Sequence, residues 1–468
     1  MTLPLKPDLC VIGTTPGALA VAIAAAGKGH STVLVDRGEP ELDMPMLALL
    51  ALGRKVRRGR ELAVRGVLRA DELAVDPRAV GAILQEAQAA LAPNRLPQRL
   101  AACGIHVLPG PAHFRDRRTL LAADQPIVAR RYLIACGRRP VVPEIVGLER
   151  VDALSVADVL QAYRRFGHLV VFGGGGEAVA VAQACRRLGS AVTLVCEGTA
   201  LAAEDPEMAA VALRRLQAEG VVLRRGATQL WAERKDRSGV RLGFIDAGGD
   251  ASVEGTHLLV AAGGEPDLEG LSLRAAGIPL ADGRILVDAA LRSTNRRVHA
   301  IGVAAGVPAE AEGDQARLFL DRLLDRKPAP RTAATAPRLI RSDPQLARVG
   351  LTEAEARRKG LAFSVLRAPF AEDPRARAEG GGEGHLKVLV GRSGRILGAA
   401  VAGSDAVEAI APFALAMARG EGLRTVADAP ISPFSAGQFG KRAALAYFSD
   451  DAGARPAGGF SRLLRLFG

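Results

Sequence analysis

Two short glycine-rich segments of this chain have the residue types that bind nucleotide phosphates. Residues 13–18 read Gly-Thr-Thr-Pro-Gly-Ala, and residues 173–178 read Gly-Gly-Gly-Gly-Glu-Ala. Glycine lets a backbone turn sharply and approach a pyrophosphate closely, and the amides that open the next helix can bind the anion. A candidate ribose ligand follows 23 residues after each first glycine: Asp36 in one case and Cys196, with Glu197 beside it, in the other. The repeated spacing predicts two dinucleotide sites.

The apolar pattern indicates the elements that position these two segments. Residues 9–12 and 169–172 are short apolar runs typical of buried parallel strands. Helices are predicted over residues 19–27 and 178–188, and a second apolar strand follows each of them. A strand, a turn, a helix and a strand form the dinucleotide-binding unit of the Rossmann fold. The sequence therefore predicts an α/β protein with two such units.

A different pattern follows the second unit. Buried strands are predicted over residues 258–263 and 297–302, and the proline-rich stretch 327–337 is a candidate linker. Further elements are predicted as strands at 386–390 and 395–401 around a Gly-Arg-Ser-Gly turn and helices at 406–419 and 441–448. This part of the chain is expected to form an α+β domain.

The cysteines and histidines show no spacing typical of a metal site or a redox pair. The five cysteines are Cys10, Cys103, Cys136, Cys185 and Cys196, and no two lie within ten residues of each other. This excludes CxxC motifs and zinc ribbons and argues against a secreted disulfide scaffold. The seven histidines also lack the spacing of metal ligands. We predict that the chain has no metal site.

Composition and charge exclude several other classes of protein. Basic residues outnumber acidic ones by 62 to 50, but only 4% of residues are aromatic. The densest basic run, residues 54–60, is predicted to be a solvated helix face without a nucleic-acid-binding motif. The apolar stretch 9–26 is interrupted by glycines and proline, so it cannot span a membrane, and residues 1–6 do not resemble an export signal. We expect a cytoplasmic protein that binds no nucleic acid.

Several further segments resemble motifs of one enzyme family. They read Leu-Ile-Ala-Cys-Gly-Arg-Arg-Pro at 133–140, Val-Ala-Ala-Gly-Gly-Glu-Pro-Asp at 260–267, Ala-Ile-Gly at 300–302 and Val-Gly-Leu-Thr-Glu at 349–353. With the glycine segments, and in the same order, they resemble the FAD- and NAD(P)-dependent pyridine nucleotide-disulfide oxidoreductases, which include dihydrolipoamide dehydrogenase and mercuric reductase. The likeness runs from about residue 8 to the C-terminus.

The resemblance implies a glutathione-reductase-like architecture and a homodimer. An FAD-type domain is expected over residues 1–150 with 271–330, and an NAD(P)-type domain over 151–270. An interface domain is expected over 331–450. Residues 451–468 form a tail, whose basic amphipathic end is predicted to dock on the dimer.

The resemblance also implies which residues would bind the two cofactors. FAD would be held by Gly13, Thr15, Pro16, Gly17, Ala18, Asp36, Ala135, Gly137 and Gly302. NAD(P) would be held by Gly173, Gly175, Ala178, Glu197 and Gly263. Two departures weaken the first site: Thr15 stands where the family has its second glycine, and Val303 stands where the family has the aspartate that binds the flavin ribityl chain.

The resemblance further implies that the family's catalytic groups have been replaced. Its two redox cysteines fall on Gly38 and Asp43, and its buried lysine–glutamate pair falls on Leu47 and Ala180. Its acid/base pair falls on Pro433 and Gln438. Proline has no exchangeable proton and glutamine does not titrate, so dithiol chemistry and acid/base catalysis are both predicted to be absent.

Two hypotheses on function follow from this resemblance. The first is an FAD- and NAD(P)-binding oxidoreductase without dithiol chemistry, which would pass electrons to an unknown acceptor such as a quinone, oxygen or a protein. The second is a catalytically inactive homologue that acts as a binding or assembly partner. A fold alone does not decide between them.

Overall fold

The computed structural model describes residues 3–38, 42–69, 73–95, 97–235, 239–323 and 336–454. The chain forms two compact units. The first comprises residues 1–200 and 217–333, and the second comprises residues 201–216 and 334–468. Most of the predicted linker 327–337 and most of the predicted tail 451–468 lie outside the described residues.

In the first unit, strands and helices alternate around each glycine turn as predicted, but residues 105–140 and 222–300 are successive strands with no helix between them. Its strands are β1 Leu9–Ile12, β2 Thr32–Asp36, β3 Ile105–Pro109, β4 Ala112–Phe114, β5 Leu120–Ala122, β6 Gln125–Ile127, β7 Arg131–Ile134, β8 Arg138–Pro140, β9 His168–Phe172, β10 Ala191–Val195, β11 Val222–Arg224, β12 Thr228–Lys235, β13 Gly239–Asp246, β14 Gly249–Gly255, β15 His257–Val260, β16 Gly264–Pro266, β17 Leu280–Ala281, β18 Arg284–Ile285 and β19 Val298–Ala300. Its helices are α1 Pro16–Gly27, α2 Asp43–Val64, α3 Pro77–Arg95, α4 Pro97–Ala102, α5 Val156–Gln161, α6 Gly176–Arg187 and α8 Glu312–Leu323.

The first Rossmann-like sheet has five parallel strands in the order β19-β7-β1-β2-β3. Both of its faces are covered, because successive residues of β1 enter different apolar clusters. Cys10 and Ile12 belong to one cluster, whereas Leu9 and Val11 belong to the cluster that contains apolar residues of α1 and α8. Burial on both faces explains why β1 is a continuous apolar run.

A second parallel sheet contains the other glycine segment. Its strand order is β11-β10-β9-β15, and α6 packs on it. A three-stranded antiparallel sheet, β12-β13-β14, lies beside it in the chain. The two parallel sheets, each with a glycine turn after its central strand, confirm the predicted α/β class and the two Rossmann-like units.

The second unit is α+β, as the change of sequence pattern predicts. Its strands are β20 Arg338–Ile340, β21 Gln345–Gly350, β22 Ser364–Pro369, β23 His385–Val390 and β24 Ile396–Gly403, and its helices are α9 Glu353–Arg358, α10 Pro374–Ala378, α11 Ala406–Ala418, α12 Leu423–Asp428 and α13 Ala436–Ala454. Most of α7 Pro206–Ala218 belongs to the same unit. The sheet order is β20-β21-β24-β23-β22, and all its pairs are antiparallel.

A buried network of charges joins residues 201–216 to this sheet within the second unit. The Lys387 ammonium lies 2.8 Å from carboxylate oxygens of Asp205 and Glu207 and 2.7 Å from one of Glu353. Hydrogen bonds from Arg367 and Lys387 hold the pKa of Glu207 well below its usual range. The buried Lys387 and Asp205 pair with each other, and Glu207 and Glu353 have further partners in Arg367 and Arg357.

Candidate functional site

The first glycine turn follows β1 and begins with a residue that must be glycine. Gly13 has φ +109°, and a Cβ atom there would lie 2.3 Å from the carbonyl oxygen of Ala135. Its amide donates to the carbonyl oxygen of Val35 at 3.0 Å, which joins the turn to β2. The turn therefore sits at the carboxyl ends of three adjacent strands, where a Rossmann fold binds its nucleotide.

Thr15 caps the helix that follows this turn. Its hydroxyl accepts a hydrogen bond from the amide of Ala18 at 3.3 Å, and Pro16 occupies the first helical position. A threonine cap of this kind stabilises a helix by about 1 kcal/mol relative to alanine. Ala18 is fully buried and permits close packing of α1 on the sheet. The side chain of Thr15 thus satisfies a helix donor that a glycine at this position would leave open.

A carboxylate from a distant part of the sequence stands at the same helix end. The Thr15 hydroxyl donates to Oε1 of Glu312, the first residue of α8. A Cβ atom at Gly17 would lie 2.7 Å from Cγ of Glu312, and one at Gly302 would lie 3.1 Å from it. Glu312 is buried. The Glu312 side chain therefore fills the space that these two glycines leave empty.

The loop before α8 is held to that helix by a second polar contact. The Gly302 amide donates to the side-chain oxygen of Gln315 at 2.6 Å, and this contact is buried. Gly302 has φ +62°, in the left-handed region that favours glycine. The next residue, Val303, has an apolar side chain, so it can provide no hydrogen bond to a ribityl hydroxyl.

The predicted ribose ligand of the first turn is in place at the end of β2. Asp36 accepts a hydrogen bond from the Gly38 amide at 2.9 Å through one carboxylate oxygen. The neighbouring Arg37 pairs with Asp267 at 3.3 Å. The Asp267 amide in turn donates to the carbonyl oxygen of Gly137 at 3.1 Å. The residue after Asp36 thus contacts the 260–267 segment, which in turn contacts the 133–140 segment.

Those two segments pair directly with each other. Strand β8 runs antiparallel to β16, with Arg138 opposite Pro266 and Pro140 opposite Gly264. Motifs that are far apart in the sequence therefore meet in one two-stranded sheet. Gly263, just before β16, has φ +100°.

The second glycine turn has the same backbone arrangement as the first, but the residue that caps its helix has no side chain. Gly173 has φ +142°, and a Cβ atom there would lie 2.2 Å from the carbonyl oxygen of Ala261. Gly175 is the cap residue of α6, and it has no side chain with which to bind the helix amides. A Cβ atom at Gly175 would meet nothing within 4 Å, whereas Ala178 is fully buried beneath the turn. The second turn therefore presents an open helix N-terminus.

The ribose position of the second turn holds a buried thiol between an exposed acid and an arginine pair. The Sγ atom of Cys196 donates to the carbonyl oxygen of Gly198 at 3.1 Å. Burial raises the pKa of this thiol, and the nearby Arg225 partly opposes the rise. Glu197 is exposed, and strand pairing places Arg224 opposite Val195. No arginine directly follows Cys196 in the sequence. Arg224 and Arg225 lie near it because β11 pairs with β10, and since they begin 28 residues later in the chain, the local sequence does not indicate them.

Gly38 and Asp43, the residues expected at the family's redox-cysteine positions, cannot form a disulfide. Gly38 has φ +78° and Asp43 is the first residue of α2, while residues 39–41 lie outside the described residues. All five cysteines are free thiols. Burial raises the pKa of Cys185 to about 12 and that of Cys10 further still, so these thiols remain protonated.

Cys10 and Cys136 are on neighbouring strands but not at neighbouring positions. The register of β1 and β7 places Cys10 opposite Tyr132, four residues before Cys136. At about 3.3 Å per residue, this offset exceeds the Cα separation of about 7 Å that a disulfide tolerates. The structure therefore gives these two thiols no redox partnership.

Helices α2 and α6, which carry the residues expected at the family's lysine–glutamate positions, meet through small residues. A Cβ atom at Gly53 of α2 would lie 3.3 Å from Cα of Ala184 on α6. On the same helices, Leu47 is 39% exposed and Ala180 is buried. Both residues expected at the family's lysine–glutamate positions are uncharged, so neither leaves a buried charge without a partner.

Pro433 and Gln438, the residues expected at the family's acid/base positions, lie in the second unit, just before and within α13. Pro433 is exposed, and its neighbour Phe434 has φ +58° and is 73% exposed. The side-chain oxygen of Gln438 is buried and has no hydrogen-bond partner among the described residues. Neither Pro433 nor Gln438 can exchange a proton with a substrate.

Clustered metal ligands are absent from the described part of the chain. Among these residues, no group of three or more histidine, cysteine, aspartate or glutamate side chains could hold a metal ion. None of the helices that the structure describes is both long enough and apolar enough to cross a membrane.

Family models match nearly the whole described chain. The model described as pyridine nucleotide-disulphide oxidoreductase matches residues 7–336, and the model of that family's dimerisation domain matches residues 336–433. A mercuric reductase of Streptomyces lividans is 32% identical over 432 residues, which cover 88% of this chain and 90% of the relative. A dihydrolipoyl dehydrogenase of Bacillus subtilis is 27% identical over 437 residues, covering 89% and 91%.

Solved structures with a similar fold are less similar in sequence. LpdA from Mycobacterium tuberculosis has a TM-score of 0.83 at 22% identity, covering 95% of this chain and 99% of its own. The HOCl-induced flavoprotein disulfide reductase RclA from Escherichia coli has a TM-score of 0.77 at 23% identity, covering 92% and 99%. These likenesses support the fold described above.

Proposed function

The chain belongs to the pyridine nucleotide-disulphide oxidoreductase family, and we propose that it is a member that binds a pyridine nucleotide at its second glycine turn without dithiol chemistry. Members of this family bind FAD and NAD(P). The observation that carries the proposal is the open N-terminus of α6 at Gly175, in a chain with Gly38 and Asp43 at the redox-cysteine positions.

The residues of the second turn fit NAD(P). The amides that follow Gly175 are available for the pyrophosphate, and the partial positive charge of the helix N-terminus favours an anion there. Glu197 could accept hydrogen bonds from the adenosine ribose of NAD, whereas Arg224 and Arg225 could pair with the 2′-phosphate of NADP. The nicotinamide group supplies hydride chemistry when it is bound. The chain's own contribution is to bind and orient it.

The residues of the first turn do not fit FAD in the conformation that the structure has. Thr15 and Glu312 occupy the helix end where the family's pyrophosphate binds, and Val303 provides no carboxylate for the ribityl chain. We therefore derive no step through a flavin. The function that the geometry supports best is nucleotide binding, by a homologue that acts as a binding or assembly partner.

A second candidate function is flavin-dependent electron transfer to an acceptor that is not a disulfide. It is favoured by the family itself and by two features of the first turn, the close approach of Gly13 to β7 and the carboxylate of Asp36 at the end of β2. Its acceptor is unknown. In this case Glu312 would have to leave the helix end before FAD could bind.

We also propose a homodimer formed through the second unit. Residues 336–433 match the family's dimerisation domain. Leu415 in that range is 61% exposed, and Phe434 and Leu445 just beyond it are 73% and 43% exposed. Exposed large apolar side chains of this kind are typical of surfaces that a second chain covers. Analytical ultracentrifugation should give twice the chain mass; a monomer at micromolar concentration would contradict the proposal.

The test of nucleotide binding is a calorimetric titration of the purified chain with NADH and with NADPH. The variant Gly175→Ala adds a methyl group where the protein itself leaves space, at a negative φ that any residue adopts. It should keep the fold but lower nucleotide affinity by about tenfold, because the methyl group crowds the phosphate. Gly27→Ala, which also adds a methyl group in open space, is the matched control.

Each outcome of this titration decides a different point. Binding of neither nucleotide to the unmodified protein would overturn the proposed function. Equal affinity of the Gly175→Ala variant and the Gly27→Ala control would show that the nucleotide binds elsewhere. In parallel, turnover of lipoamide, glutathione disulfide or mercuric ion should be undetectable. A stoichiometric flavin spectrum that NADH or NADPH bleaches would favour the second candidate.

A further inference from the structure

We propose that the Glu312 carboxylate is an internal anion bound at the phosphate-binding end of α1, and that a dinucleotide can enter the first site only by displacing it. The carboxylate accepts a hydrogen bond from Thr15, and its side chain lies against the glycines at 17 and 302. The inference concerns the first turn and is independent of nucleotide binding at the second.

The location of this carboxylate is the one that a phosphate needs. Gly17 belongs to the first turn of α1, directly after Pro16, so Glu312 sits where the helix dipole and the opening amides favour negative charge. In a Rossmann turn the pyrophosphate makes a close approach to this helix N-terminus. Here that approach is made instead by Cγ of Glu312, which would lie only 2.7 Å from a Cβ atom at Gly17.

Several contacts hold the glutamate in this position. Thr15 binds Oε1 of Glu312 and also accepts from the Ala18 amide, so one hydroxyl connects the carboxylate to the helix end. The hydrogen bond from the Gly302 amide to the Gln315 side chain joins the loop after β19 to the first turns of α8, which contain Glu312. Because Glu312 is buried, the electrostatic attraction of the carboxylate to the helix end is screened less than it would be in water.

The substitutions at the first site are consistent with an exchange of anions. A glycine at 15 would let a dinucleotide approach more closely, whereas a carboxylate gains a hydrogen bond from the Thr15 hydroxyl. The family's acid at position 303 is absent, and an acid nine residues later reaches the same loop. A glutamate side chain has three rotatable bonds, so it can swing away without unfolding α8. The Glu312 side chain, here called the plug, therefore blocks the phosphate position but can be displaced from it.

The experiment is a titration with FAD, followed by quenching of flavin fluorescence, together with the flavin content of the purified chains. Two variants remove different parts of the plug. Glu312→Ala removes both charge and bulk, and Glu312→Gln removes the charge but keeps the shape and can still accept from Thr15. Glu310→Ala removes an exposed carboxylate two residues away and serves as the control.

Glu312→Ala should bind FAD at least about tenfold more tightly than the unmodified protein, because a charged hydrogen bond and a like charge no longer oppose the pyrophosphate. Glu312→Gln should show a smaller gain, and Glu310→Ala should show none. A titration with ADP, which has the diphosphate but no flavin, should give the same order of affinities.

The proposal is overturned if the unmodified protein is purified with stoichiometric FAD, or if neither Glu312 variant binds FAD or ADP more tightly than the unmodified protein does. Since Glu312→Gln preserves the shape of the side chain, it keeps the test decisive if Glu312→Ala fails to fold. The affinity for NADH and NADPH should be equal in all three variants. A changed affinity for NADH or NADPH would count against the proposed second site and not against the role of Glu312.

Discussion

The two glycine turns of the first unit share one backbone frame and differ in what covers the end of the helix. In both, the first glycine lies so close to a strand carbonyl that a Cβ atom would be 2.3 Å away at Gly13 and 2.2 Å away at Gly173. Both helices have twelve residues. Yet α1 is capped by Thr15 and covered by Glu312, whereas α6 begins at a bare glycine.

This difference separates the requirements of folding from those of ligand binding. The left-handed glycine that opens each turn is needed to bring a helix back onto its sheet, with or without a nucleotide. Folding does not require a particular residue at the helix cap. The identity of the cap residue therefore indicates what occupies the helix end. In the first turn the occupant is the protein's own carboxylate.

The largest expected effect comes from breaking the shared frame. Gly173→Ala forces a side chain against a strand carbonyl at a strongly positive φ, and Gly13→Ala does the same in the first turn. Each should lower the free energy of unfolding by about 3 kcal/mol or more. Urea unfolding measures the loss. Gly27→Ala, in an exposed helical position, should change stability by less than about 1 kcal/mol; equal losses in the three variants would contradict a shared frame.

A somewhat smaller loss of stability should appear when the pH is lowered, and it should distinguish the first parallel sheet from the second. Burial, aided by the positive charge of Arg131, lowers the pKa of His299 on β19 to about 4, and its ring packs edge-to-face on Phe319 of α8 at 5.2 Å. Because the folded pKa is below the unfolded value of about 6.5, the stabilisation is complete above pH 6.5 and is lost as the pH falls toward 4.

We expect this loss to reach about 2–3 kcal/mol and to concentrate in the first sheet. Amide hydrogen exchange between pH 6.5 and 4, corrected for intrinsic rates, measures it by region. His299→Leu should remove most of this dependence. If the variant keeps the full dependence, the acid sensitivity arises elsewhere.

The smallest effects are expected from substitutions that exchange the kinds of cap residue between the two turns. Gly175→Asp gives the second helix a carboxylate at its cap, which should stabilise the helix by about 0.5–1 kcal/mol and lower nucleotide affinity by about tenfold. Thr15→Gly makes the opposite change at the first helix. Glycine is an acceptable cap, but the buried Glu312 carboxylate loses a hydrogen bond, so the cost should be about 1–2 kcal/mol. Thermal unfolding and calorimetry measure both. A gain in nucleotide affinity for Gly175→Asp would contradict the comparison.

The frame of each site could be predicted from the sequence because it depends on local pattern. The apolar run 9–12 is β1, and the predicted helix 19–27 is α1 apart from its start, which lies three residues earlier because Thr15 caps it. In the second turn, the helix predicted at 178–188 begins at Gly176. The hairpin predicted around 391–394 is formed by β23 and β24.

The occupancy of the sites could not be predicted, because it depends on contacts between distant residues. Thr15 and Glu312 are 297 residues apart, and no periodicity in the sequence links them. An acid placed at the start of a helix after the Ala-Ile-Gly segment was the one available signal. Likewise, the arginines near Cys196 come from β11, and only the strand register brings them there.

The most direct test of the difference between the turns is amide hydrogen exchange of the purified protein with and without saturating NADPH or NADH, resolved at residues 13–27 and 173–187. We predict new protection at the second turn and the start of α6 and none at the first turn, which is already occupied by Glu312. Protection at the first turn, or at neither turn, would contradict this prediction.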